Sequence, residues 1–179
     1  METEIASLLA YNGFELEIIE ETGIRGNDFD LAATKEGITF SIEVTAKEDG
    51  PLTVKTISNT LNNKRTQVPP DRPAVLYIRI PAEWMRDTSV AQPIFTEAFS
   101  EFCLKSSRFN AMVLVWEEVT PFLNGGLMQM HIWACYNHIP RHLHSEVYLM
   151  EPVEAPDGRK LLAHSFFDFL KSVQAKLSV

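Results

Sequence analysis

The stretch GNDFDLAATKEGITFSIEVTAK, residues 26–47, decides how this chain folds. Successive side chains of a strand point to opposite faces. In ITFSIEVTAK, 38–47, that rule puts Phe40, Ile42, Val44 and Ala46 on one face and Ser41, Glu43, Thr45 and Lys47 on the other. FDLAAT, 29–34, reads as a shorter strand that buries Phe29, Leu31 and Ala33, so Asp28 and Asp30 share its other face. Lys35-Glu36-Gly37 supplies the turn of a hairpin between the two. In register, that hairpin brings Asp30 towards Glu43.

Outward from this hairpin the pattern is α/β. Residues 3–12 have helical spacing with Thr3 as N-cap, and FELEII, 14–19, alternates as a half-buried strand. Residues 53–67 put Val54, Ile57 and Leu61 on one side of a helix ended by Pro69-Pro70. AVLYIRI, 74–80, is nearly all apolar, as a strand covered on both faces is. A helix over 89–105 turns Ile94, Ala98, Phe99 and Phe102 inward, with Pro93 in its first turn. Strands at 111–119, 127–136 and 146–150 and a helix from about 164, led by Phe166, Phe169 and Leu170, complete the reading. With no repeat or linker, residues 1–179 form one domain, a core over about 3–81 elaborated over about 89–179 by a hairpin and a helix.

Of 179 residues, 45% are aliphatic or aromatic and 22% charged, which excludes a long disordered region. The net charge of −8 opposes non-specific nucleic-acid binding by the molecule as a whole, although carboxylates that hold a metal are neutralised locally. The acidic start METEIASLL lacks a secretory pattern, and no apolar run approaches the roughly 20 residues that span a bilayer, so a cytoplasmic protein without a membrane partner is expected. Cys103 and Cys135 are expected to be buried and reduced. RHLH, 141–144, sets His142 and His144 on one side if extended, but nothing at the usual spacing completes a zinc site. Walker and G-x-S-x-G motifs are absent.

Two carboxylates that approach one another away from water share a proton or a cation. Mg²⁺ or Mn²⁺ fits such a pair, and a nearby ammonium group orients water or offsets charge on phosphorus. Helix, three strands, helix and strand, with Asp on the second strand and Glu on the third, resembles the PD-(D/E)XK nuclease superfamily, whose fold is the restriction-endonuclease-like αβββαβ core with a mixed central sheet. The resemblance covers roughly residues 3–81 and rests on GNDFDLAAT and GITFSIEVTAK. It implies an endonuclease-like phosphodiester hydrolase with DNA as the expected substrate and metal held by Asp30, Glu43 and the Val44 carbonyl. Asp28 is a further ligand or the true one.

Two positions depart from the family pattern. Thr45 stands where the lysine belongs, and no proline precedes the aspartate. Lys47, on the same strand face as Glu43, is the first substitute for that lysine, and Lys55 or Lys64 can reach in from the following helix. Gln67 near that helix's end and Glu4 on the first helix match accessory positions of some relatives. Lys55, Lys64, Arg65, Arg72, Arg79 and Arg86 cluster in sequence and are candidates to line a phosphate-binding cleft. The alternative is the same fold with lapsed chemistry, acting as a protein-interaction or regulatory module. Residues 111–150 are where a substrate selector or a homodimer interface is expected.

Overall fold

The computed structural model describes residues 2–20, 22–122, 125–137, 139–142, 153–154 and 160–161. The strand expected at 146–150 and the helix expected from 164 lie outside them, as do His138, His144 and His164. The elements run α1 (Glu2–Tyr11), β1 (Glu15–Ile18), β2 (Leu31–Lys35), β3 (Ile38–Ala46), α2 (Val54–Lys64), β4 (Ala74–Arg79), α3 (Thr88–Lys105), β5 (Phe109–Phe122) and β6 (Gly125–Tyr136). A 3₁₀ turn, Ala82–Met85, precedes α3, and Val153–Glu154 pairs with Lys160–Leu161 apart from the main sheet.

The main sheet has six strands in the order of the chain. β1, β2 and β3 form an antiparallel meander; β3, β4 and β5 are parallel; β6 returns antiparallel along β5. The fold is therefore α/β with a mixed sheet. Both parallel connections run through a helix, and because such crossovers share one hand, α2 and α3 fall on the same face of the sheet. There Ile57 and Leu61 of α2 and Phe95, Phe99 and Phe102 of α3 pack on Leu76, Ile78 and Leu114. On the other face Ile5 and Leu9 of α1 pack with Phe40, Ile42, Val44 and Tyr77. β4 is thus sealed on both sides, as its unbroken apolar run requires.

Several local readings shift in the folded chain. Asp87 caps α3, its Oδ1 accepting from the Ser89 N–H at 3.0 Å, so the helix starts one residue earlier and Pro93 lies beyond its first turn. Thr3 lies inside α1 and is not its cap. Ile18, on the edge strand, is 79% exposed where the alternation predicts burial. α2 begins after Thr53, whose Oγ1 accepts from the Thr56 N–H at 3.1 Å, and ends at Lys64, three residues short of the expected limit. β2 starts at Leu31, which leaves Asp28 and Asp30 in the loop before it. Cys103 and Cys135 are both buried free thiols, and burial pushes each up to about 12, so neither is a thiolate nucleophile at neutral pH.

The β2–β3 hairpin turns on Glu36 (φ 53°) and Gly37 (φ 77°), both left-handed, which matches the twist of the flanking strands. A glutamate there is strained, because its Cβ crowds the following carbonyl by about 1–2 kcal/mol. Asn tolerates that region far better. Glu36→Asn is expected to stabilise the chain by about 0.5–1 kcal/mol, a rise of about 1–4 °C in thermal unfolding. An unchanged or lower midpoint contradicts the turn assignment.

Candidate functional site

Glu43 sits in the middle of β3, level with Leu76 of β4, on the face that α2 covers. It is 1% exposed. The alternation that buries Ile42 and Val44 beneath α1 forces Glu43 the other way, under a helix, so the carboxylate is desolvated by the same pattern that makes the strand.

Lys64 answers it from α2. Ile57, Leu61 and Lys64 lie along one stripe of the helix at intervals of four and three residues, and Lys64 Nζ reaches 2.6 Å from Glu43 Oε1. The contact is ionic by distance; neither oxygen of Glu43 has a well-directed hydrogen bond among the described residues. Lys64 remains 24% exposed, so one partner of the pair touches solvent while the other does not.

Asp30 completes the group for a different reason. The antiparallel ladder between β2 and β3 ends at Leu31 and Ile42. Beyond it the Asp30 N–H donates to the Ile42 carbonyl at 3.1 Å, and Asp30 Oδ2 accepts from the Val44 N–H at 2.6 Å. The side chain thus takes over where the strand stops, and its charge faces Glu43. Burial pushes the Glu43 carboxyl up to about 7; Lys64 pulls it down, while Asp30 and, more weakly, Glu2 add to the rise. Near neutral pH this carboxyl therefore divides between its two protonation states.

Other sequence candidates are placed elsewhere. Asp28 Oδ1 accepts from the Thr22 N–H and Oγ1, each at 2.8 Å, and chiefly that N–H holds its carboxyl below the usual carboxylate range. It closes the loop over 22–28 and does not join Asp30 on one face. Lys47 is four residues past Glu43, about 13 Å along an extended strand. Its N–H donates to the Arg79 carbonyl at 2.8 Å, and the residue borders a separate cavity of about 380 Å³ with Arg79, Glu83 and Glu117. Thr45 lies between Glu43 and Lys47 on that face, half-buried.

Lys55 is nine residues before Lys64, half a revolution at 100° per residue, and is exposed. Gln67 lies in the turn after α2, where its carbonyl accepts from the Asp28 N–H at 3.3 Å. Glu4 is exposed on α1, and the acid of that helix whose charge reaches Glu43 is Glu2. His142 Nε2 stands 2.9 Å from the Pro70 carbonyl. The basic residues clustered in sequence also separate, because Arg72 pairs with Asp71 and Arg79 with Glu117.

The structure thus brings Glu43 and Lys64 into contact, with Asp30 tied to the neighbouring Val44 N–H and its charge, with that of Glu2 more weakly, acting on Glu43. Sequence reasoning treated Lys64 as one of two helical alternatives and missed Glu2. The stripe from Ile57 through Leu61 carried the signal for Lys64. Two hard oxygen donors and one ammonium can share a proton, hold a divalent cation with a solvent or phosphate ligand, or stand as a buried ion pair. The chain matches no protein-family model, no curated protein and no solved structure.

The raised Glu43 carboxyl has a definite effect on stability. Between the ordinary value of 4.5 and about 7 the native state holds a proton that the unfolded chain has released, so this group's contribution falls as pH rises through that window. Above it the penalty is about 3 kcal/mol. Glu43→Gln, which stands in for the protonated side chain, is therefore expected to raise stability at pH 8 by up to about 3 kcal/mol and to leave it nearly unchanged at pH 5. Denaturant unfolding of both proteins at the two pH values checks this, and a variant equally destabilised at both is the contrary result.

Proposed function

We propose that this chain is a metal-dependent phosphodiester hydrolase built on a restriction-endonuclease-like αβββαβ core, with DNA as the favoured substrate. What carries the reading is Glu43: a carboxylate at 1% exposure, under the charge of a second acid, Asp30, and paired with Lys64 through one oxygen. A pair kept only for stability would do better as apolar side chains of similar volume. The oxygen-rich donor set suits Mg²⁺ or Mn²⁺, and the second oxygen of Glu43 is buried without a hydrogen-bond partner among the described residues.

In this reading Asp30 and Glu43 are the protein's metal ligands, and the Asp30–Val44 hydrogen bond fixes the first of them. The metal, when bound, lowers the pKa of a coordinated water and offsets charge on phosphorus. Lys64, in place of Lys47, donates hydrogen bonds to the attacking water or to a non-bridging phosphate oxygen. Attack would form the new P–O bond in line with the bond to the leaving oxygen, the water giving up one proton to solvent and the leaving oxygen taking one from solvent as its bond breaks. Because Glu43 must be deprotonated to bind metal, affinity falls as pH drops below about 7.

The test is cleavage of plasmid and of labelled linear DNA with Mg²⁺ or Mn²⁺. Asp30→Asn preserves an acceptor for the Val44 N–H, and Glu43→Gln preserves shape. Each is expected to lower the rate by more than the roughly 10–100-fold that a change in an outer-shell partner of a metal ligand costs, while the protein remains folded. Lys64→Ala is expected to lose far more activity than Lys47→Ala. Absence of cleavage with either metal, together with no rise in melting temperature on adding them at pH 8, leaves the lapsed interaction module as the better account.

A further inference from the structure

A second cavity, of about 310 Å³, lies against the turn that follows α2. Its charged lining among the described residues is Arg25, Arg65, Lys105, Arg108 and Arg141, with no acid among them. Four segments far apart in sequence supply them: the loop before β2, the end of α2, the α3–β5 connection and the chain after β6. The Thr66 and Ser107 hydroxyls add neutral hydrogen-bonding groups.

This cationic grouping is built into the fold. Arg108 Nη1 donates to the Arg65 carbonyl at 3.1 Å and to the Val68 carbonyl at 2.9 Å, and Arg141 Nη1 donates to the Pro70 carbonyl at 3.3 Å. The Arg141 N–H donates to the Ser107 carbonyl at 3.0 Å. By contrast, Arg25, Arg65 and Lys105 have no side-chain ion pair or hydrogen bond among the described residues. Within a molecule of net charge −8, five cations gathered without an acid among the described residues oppose the general composition. Like charges so placed repel unless an anion joins them, and burial together with Arg141, Arg25 and Arg65 depresses the Arg108 guanidinium.

We propose that this cavity binds consecutive phosphates of a nucleic-acid strand and holds that strand beside Asp30, Glu43 and Lys64. Five positive charges exceed what one phosphate group, at about −1.5 to −2, can neutralise, so a run of phosphates is the better fit. Arg65 directly follows Lys64 in the chain, which places the cavity and the carboxylates on either side of one helix end. The direction of the strand rests on the hydrolase reading; binding to the cavity does not.

Binding is measured in EDTA, so that no metal contributes, by fluorescence anisotropy of labelled single-stranded and duplex oligonucleotides at 50–200 mM KCl, on the order of the range where phosphate contacts dominate. The wild type is expected to bind with affinity that falls as salt rises. The double variant Arg25→Glu, Arg65→Glu is expected to lose at least about tenfold in affinity and to flatten the log–log salt slope by about 2 on duplex. Lys105→Glu, at an exposed position, is expected to weaken binding in the same direction and serves if the double variant fails to fold. The proposal is overturned if the wild type binds no oligonucleotide, if folded variants bind as it does, or if ATP or pyrophosphate binds as tightly as the strand. Binding that depends on these cations without cleavage in Mg²⁺ or Mn²⁺ upholds the cavity and removes the hydrolase reading. Cleavage that ignores them does the reverse.

Discussion

A carboxylate held out of water in the middle of a central strand is the constraint around which this structure is arranged. Glu43 has Leu76 beside it and α2 above it, and the alternation of β3 leaves it no other direction. Its charge is tolerable only because Lys64 closes on one oxygen and because protonation remains accessible near neutral pH. Removing the strand's alternation would free the carboxylate and dismantle the α1 face of the core at once. Site and core are therefore consequences of one pattern.

Asp30 shows how the end of a ladder can be used. β2 stops at Leu31 while β3 continues, so the next backbone donor on β3 needs an acceptor that the neighbouring strand no longer offers. A carboxylate in the loop fills that need, and its charge thereby acts on Glu43. The loop itself is tied down by Asp28 on Thr22 and by its N–H on the Gln67 carbonyl, with Gly26 at φ 89° near the Val68 carbonyl. The turn after α2 consequently braces the carboxylate group on one side and the arginine-lined cavity on the other.

The electrostatics divide in the same way. The chain is acidic overall, yet five cations with no acid among the described lining gather where three connections meet that turn. Bulk charge sets solubility and long-range repulsion, whereas recognition of a phosphate depends on groups within a few ångströms, where screening by salt is incomplete. An acidic surface with a local cationic recess favours an anion that docks at that recess over one that spreads across the molecule.

Much of the fold was legible in the residues themselves, because backbone periodicity is local. The alternation of 38–47, the unbroken apolar run of 74–80 and the tight turn at Glu36-Gly37 identify β3, β4 and the hairpin, and they assign Glu43 to the face opposite Ile42 and Val44. Tertiary structure decided which cation meets that carboxylate, since Lys47 and Lys64 differ in how the α2 crossover lies on the sheet and not in any local pattern. It also decided that Asp28 turns to Thr22 while Asp30 turns to Val44, and that Arg25, Arg65, Lys105, Arg108 and Arg141 share one cavity. Strand faces follow from a two-residue repeat, but side chains from distant segments meet only where loops and crossovers bring them, and that placement depends on the packing of the whole chain.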